Sequence, residues 1–209
     1  MKPLHTLQLL CATALIGTIA ATASAQNIVN DPGFEASADG LGPHPFSAAW
    51  TVNDPSGFSN VGGDGTPPAH SGVNYANLGA FGQIGTLSQT LSTTPGTFYT
   101  LSFWLANNSA LPTNSFQAFL NGSLVFATTS PPFTSAGNYV LITGAPVFVS
   151  GTSALLEFRY RHDDDFWRLD DINVSRAPEG GATLWLALPV LAGLCLVQAR
   201  RRIAAPAVS

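Results

Sequence analysis

The sequence predicts an all-β fold, a two-sheet β-sandwich of the jelly-roll kind, over residues 26–175. Three observations support this. Turn-forming Gly, Pro, Asn, Asp and Ser recur every eight to fifteen residues through the segment. No stretch repeats apolar residues at the spacing of three and four that an amphipathic helix needs. Two stretches instead alternate between apolar and polar side chains, the period of a strand with one face in a core.

The elements follow in order. Short strands are expected at Asn27 to Asn30, Ala48 to Val52, Asn74 to Leu78 and Leu87 to Leu91. The clearest strand is Thr97 to Ala106, with Tyr99, Leu101, Phe103 and Leu105 on one face and Thr100, Ser102 and Trp104 on the other. Asn121-Gly122, between Phe116 to Leu120 and Ser123 to Ala127, is the dipeptide preferred in a two-residue hairpin because both positions tolerate positive φ. Tyr139 to Val149 reads as another strand. Ala154 to Arg161 places Ala154, Leu156, Phe158 and Tyr160 inward against Glu157, Arg159 and Arg161 outward, and Phe166 to Val174 closes the domain. About nine short strands in a segment of this size are what a sandwich requires.

Both ends of the chain stand apart from that domain. Lys2 and His5 precede an apolar stretch from Leu7 to about Ala21, and Ala23-Ser24-Ala25 supplies small residues at the spacing of a signal-peptidase site. Residues 1–25 are therefore read as a secretory signal peptide cleaved before Gln26, an uncleaved anchor being the alternative. At the other end, residues 176–209 run from Ala177-Pro178-Glu179-Gly180-Gly181 through the apolar stretch Ala182 to Val197 to Arg200, Arg201 and Arg202. Sixteen residues make a helix about 24 Å long, short of a hydrocarbon core of about 30 Å. The arginines would stay on the cytoplasmic side and leave the domain outside.

This tail resembles the PEP-CTERM class of sorting signals, in which a short motif precedes a transmembrane helix and an arginine cluster. Pro178 and Glu179 match, but Gly180 stands where the commonest form has proline. The order is closer to the variant written Val-Pro-Asp-Ser-Gly, with Ala177, Pro178, Glu179, Gly180 and Gly181 at the matching positions. The resemblance implies recognition and cleavage by an exosortase, a membrane-embedded protease, in Gram-negative bacteria that make exopolysaccharide. Gly180-Gly181 is also similar to the signal read by rhomboid-type sortases. A plain C-terminal anchor is the alternative.

The ends of the domain carry a second resemblance. Asn27-Ile28-Val29-Asn30-Asp31-Pro32-Gly33-Phe34-Glu35 and Phe166-Trp167-Arg168-Leu169-Asp170-Asp171-Ile172-Asn173-Val174 resemble the first and last strands of galactose-binding-like jelly rolls, the fold of many carbohydrate-binding modules. The resemblance implies a structural calcium between those strands, held by Glu35 and by Asp170 or Asp171. Strand alternation would turn only one of the two aspartates toward the ion. The alternative is that all three are solvated or hydrogen-bonded turn residues.

Charge and chemistry narrow the function. Residues 26–175 hold eleven acidic side chains against three arginines, Arg159, Arg161 and Arg168, so a nucleic-acid partner is not expected. Both cysteines, Cys11 and Cys195, lie outside the domain, and no lysine follows Lys2, which removes thiol and Schiff-base chemistry. His44, His70 and His162 lack zinc spacing, and no Gly-x-Ser-x-Gly elbow is present. His162-Asp163-Asp164-Asp165 lacks the spaced pattern of an EF-hand and reads as a solvated turn, with weak ion binding as the alternative. The expectation is a non-catalytic, exported surface or matrix protein associated with polysaccharide. Trp104, Trp50 and Trp167 are the candidate sugar-stacking aromatics, Trp104 first because it opposes the core face of its strand. Burial in the core is the competing reading for each. A purely structural surface protein, and less readily a glycan-active hydrolase, are the other classes.

Overall fold

The computed structural model describes residues 26–37, 43–63, 68–107, 109, 111–129 and 138–178. The signal-peptide residues Ala23 and Ala25, the tail residues Glu179, Gly180 and Gly181, the apolar run and Arg200, Arg201 and Arg202 lie outside these. Among the described residues no helix is long and apolar enough to cross a membrane.

The strands are β1 (Thr51–Asn53), β2 (Asn60–Gly63), β3 (Asn74–Leu78), β4 (Gly85–Ser92), β5 (Thr97–Asn107), β6 (Ser115–Leu120), β7 (Ser123–Thr128), β8 (Val140–Thr143), β9 (Val147–Val149), β10 (Ser153–Arg161) and β11 (Trp167–Arg176). They form two antiparallel sheets. One runs β1-β4-β10-β6-β7, and the other runs β2-β3-β11-β5-β8 with β9 also on β5.

The alternation in β5 and β10 decides how the sheets meet. Tyr99, Leu101, Phe103 and Leu105 face Ala154, Leu156, Phe158 and Tyr160 across the interior, all buried. Phe103 and Phe158 pack edge to face at 5.4 Å between ring centroids, and Phe116 lies 5.4 Å from Trp167. Each such ring removed from water contributes roughly 1.5–3 kcal/mol, so the twin aromatic rows hold the sheets together. The hairpin between β6 and β7 turns on Asn121 (φ 50°) and Gly122 (φ 77°), both left-handed as that turn demands.

The expected strands are altered in three places. Asn27 to Asn30 joins no ladder, because side-chain amides stand in for backbone partners. Asn27 donates to the Ile172 carbonyl (2.9 Å) and accepts from the Val174 N–H (3.0 Å), while the buried Gln89 of β4 bonds both the N–H (2.8 Å) and the carbonyl (2.9 Å) of Asn30. The segment thus bridges the open side between the sheets. Tyr139 to Val149 divides into β8 and β9 at Gly144-Ala145-Pro146, where proline supplies no ladder donor. β2 was not foreseen, since Val61 is the only apolar side chain in Asn60–Gly63 and shows no alternation.

Candidate functional site

The opening motif makes a tight knot. Asp31 (φ 52°) and Phe34 (φ 62°) both adopt left-handed backbone, which costs a non-glycine residue of order 1–3 kcal/mol. Burial of Phe34 against Trp50 (5.5 Å between ring centroids) and Phe46 (5.9 Å) holds it there. The Trp50 indole donates to the Asp31 carbonyl (3.0 Å), and the Ser47 hydroxyl donates to the Asp31 carboxylate (2.6 Å). With Phe34 turned inward, Glu35 reaches out to accept the Val73 and Asn74 N–H groups, each at 2.9 Å.

The closing motif grips the same loop. Asp170 accepts the His70 N–H (2.9 Å) and the Ser71 N–H (3.2 Å), while Asp171 binds the His70 imidazole (2.6 Å) and the Ser71 hydroxyl (2.6 Å). The expectation that neighbouring aspartates face opposite ways is therefore corrected. A β-bulge between Asp170 and Asn173, with Asp171 at φ 46°, breaks the alternation and brings both carboxylates onto one dipeptide. Asp170 is fully buried, and loss of hydration, reinforced by the Asp171 charge, pushes its pKa up to about 7 against the pull of its amide hydrogen bonds.

Calcium chemistry can be tested against this knot. Asp170 Oδ1 and Asp171 Oδ1 flank Gly33, where a Cβ would stand 3.5 and 3.6 Å from them, and the Glu35 side chain closes the third side. These hard oxygens fit a calcium ion in kind. Among the described residues no three carboxylate, thiol or imidazole groups are grouped to hold one metal, so backbone carbonyls would have to complete the shell.

The three tryptophans separate. Trp167 is fully buried and donates to the Arg161 carbonyl (3.0 Å), and Trp50 is buried under the opening motif. Neither offers a face to a sugar, which corrects their place among the stacking candidates. Trp104 does lie on the outer face of its sheet, half-buried, but the His70 ring is stacked on it at 3.8 Å and 18°. The histidine is itself fixed by Asp171 and by the edge of Tyr139.

The acidic loop is also tied down. Asp163 pairs with Arg161 (2.7 Å), whose guanidinium holds its carboxyl well below the usual range, and it accepts the Gly82 N–H (2.8 Å). Asp164 bonds Ser109 and Asn114. His162 is buried against Asn107 Oδ1 (2.7 Å), and burial pushes its pKa down.

An open groove of about 250 Å³ lies elsewhere, on the outer face of the five-stranded sheet, lined by Phe119, Gly122, Leu155, Glu157 and Arg159. The strands dictate its composition. Glu157 pairs in register with Phe119, Arg159 pairs with Gln117, and inward burial of Leu156 and Phe158 forces their neighbours out. The Arg159 guanidinium sits 4.6 Å above the Phe119 ring and 2.6 Å from Glu157, so acceptor, donor and ring edge are preassembled. Across β4 the same face continues as Thr86, Ser88 and Thr90. Sequence reading placed Glu157 and Arg159 outward but passed over Phe119. The signal available was its register opposite Glu157, which no single-strand pattern contains.

No protein-family model matches the chain, and no curated protein matches it. Solved structures do. A Stig cyclase from Fischerella sp. TAU, solved with an indole-containing ligand, shares 18% identity at a TM-score of 0.57, covering 74% of this chain and 99% of its own. TmCBM61, solved with β-1,4-galactotriose, shares 18% identity at a TM-score of 0.54, covering 73% of this chain and all of its own. An apo cyclase from Fischerella sp. gives 18% and 0.54. The chain therefore has the two-sheet β-sandwich fold of carbohydrate-binding modules. The same fold serves the cyclases, so it does not by itself separate binding from catalysis.

The Asp170 shift has a pH consequence. Its folded value of about 7 lies above the 3.8 of an ordinary aspartate, so folding takes up a proton between those limits. The stability Asp170 contributes is complete below the lower value and lost as pH rises through the upper one. Urea unfolding in chelator is expected to show stability falling across this window, and Asp170→Asn to flatten the slope. An unchanged slope in the variant would assign the dependence elsewhere.

Proposed function

We propose that this chain is an exported surface or extracellular-matrix protein, without catalytic activity, that holds polysaccharide on the outer face of its five-stranded sheet. The supporting observation is the groove at Phe119, Leu155, Glu157 and Arg159. A sugar ring offers an apolar C–H face to Leu155 and to the Phe119 edge left open beside Arg159, while its hydroxyls donate to Glu157 and accept from Arg159. The Ser and Thr row on β4 extends the surface toward further residues of a chain-like ligand. TmCBM61 with its galactotriose makes β-1,4-galactan the first glycan to try.

Export and processing complete the reading. Residues 1–25 act as a signal peptide. The tail, residues 176–209, holds the protein in the membrane until an exosortase or related sorting protease cuts near Glu179-Gly180-Gly181. Calcium, if bound, supplies charge neutralisation at the knot, where Asp170 and Asp171 provide oxygens beside Gly33 and Glu35 steadies the loop.

Three measurements test these statements. In affinity electrophoresis or calorimetry on β-1,4-galactan and on host exopolysaccharide, Glu157→Ala and Arg159→Ala are each expected to weaken binding by about tenfold, the worth of a charged hydrogen bond. Retention by neither glycan would leave the structural role. Calcium is expected to raise the thermal midpoint and a chelator to lower it, and identical midpoints would remove calcium from the knot. The mass of the mature protein from its host is expected to lack residues 182–209, whereas their presence would mark a plain anchor.

A further inference from the structure

We infer that Phe98 and Phe148 form an aromatic foot that rests the domain on the outer surface of the lipid bilayer while the tail is attached. The inference depends on the tail being membrane-inserted, as proposed above.

Phe98 of β5 and Phe148 of β9 are paired in register and lie 5.2 Å apart between ring centroids. Strand alternation commits Tyr99 and Val149 to the core, so both phenylalanines point out, 52% and 51% exposed. Two adjacent, half-exposed aromatic rings form an apolar patch with no covering element among the described residues.

The exit of the chain identifies what covers it. The Ala177 N–H donates to the Phe98 carbonyl (2.9 Å), so the polypeptide leaves the sandwich at this patch. The apolar run starts at Ala182, five residues on, at most about 18 Å of extended chain. With the tail inserted, the patch lies within reach of the headgroup layer, where apolar side chains bury into the boundary.

Charge agrees with that placement. The strand ends and turns here, residues 92–98, 147–153 and 175–178, contain Arg176 and no acidic side chain, in a domain whose residues 26–175 hold eleven acidic side chains against three arginines. Arg176 is exposed and braced on Thr94. This end is thus compatible with anionic lipid. By contrast, Phe58, Phe81 and Ile84 are as exposed but belong to loops beyond β1 and β3, at the opposite end of the sandwich.

The test uses the chain from Gln26 to Ser209, with Cys195→Ala, reconstituted in vesicles of phosphatidylethanolamine and phosphatidylglycerol. An environment-sensitive fluorophore is placed at Ser150→Cys beside the patch. Insertion of the tail is measured separately, by resistance to alkaline carbonate extraction. The expected result is strong quenching of the probe by headgroup-spin-labelled lipid. Phe98→Ser with Phe148→Ser should lose it, Phe98→Trp with Phe148→Trp should keep it, and Phe58→Ser with Phe81→Ser should leave it unchanged. Unaltered quenching in the first pair, with extraction resistance intact, overturns the foot. Release of the unsubstituted chain by carbonate overturns the reading of the tail, and the foot with it.

Discussion

Three carboxylates, from opposite ends of the domain, converge on the backbone and side chains of residues 70–74. Glu35 takes the amides of Val73 and Asn74, Asp170 takes those of His70 and Ser71, and Asp171 takes the side chains of the latter two. The first segment, the last strand and a mid-chain loop are thereby one mechanical unit. Gly72 makes the approach possible, because it adopts φ 62° and a Cβ there would overlap the Glu35 carboxylate. Placing the buried Asp170 carboxylate beside that of Asp171 also has a cost, visible as the raised proton affinity of Asp170. A proton relieves it in acid, and a divalent cation is the physical alternative at neutral pH.

How much of this was legible follows from where the information resides. β5 and β10 could be read because alternation is a property of one segment, and the hairpin because Asn-Gly encodes its own turn. That Asn27 to Asn30 joins no ladder could not, since its strand-like pattern is met largely by side-chain amides, from Asn27 itself and from Gln89, fifty-nine residues beyond Asn30. The bulge after Asp170 was equally hidden. Two successive aspartates look like an alternating pair until the register shift turns both to one side.

The aromatic residues give the same lesson in another form. Tryptophan is the residue that draws attention as a sugar platform, yet here two of three fill the core and the third lies beneath His70. The exposed groove relies on a phenylalanine held under an arginine, an arrangement fixed by cross-strand register between β6 and β10. Pairing across a sheet is invisible in a single sequence, whereas residue type is not, so reading by type reached the tryptophans and did not reach Phe119.

The order of strands has one more implication. β11 is the last strand in the chain but occupies the middle of its sheet, between β3 and β5, and also provides the partners of Asn27 and Ile28. A chain threaded N-terminus first cannot complete the sandwich until Arg176 has emerged, because the sheet lacks its centre until then. The earlier strands are therefore present as an open, unfinished arrangement until β11 (Trp167–Arg176) takes its place at the centre of the sheet. Timing is thus built into topology: the second sheet gains its centre only with the last strand of the domain.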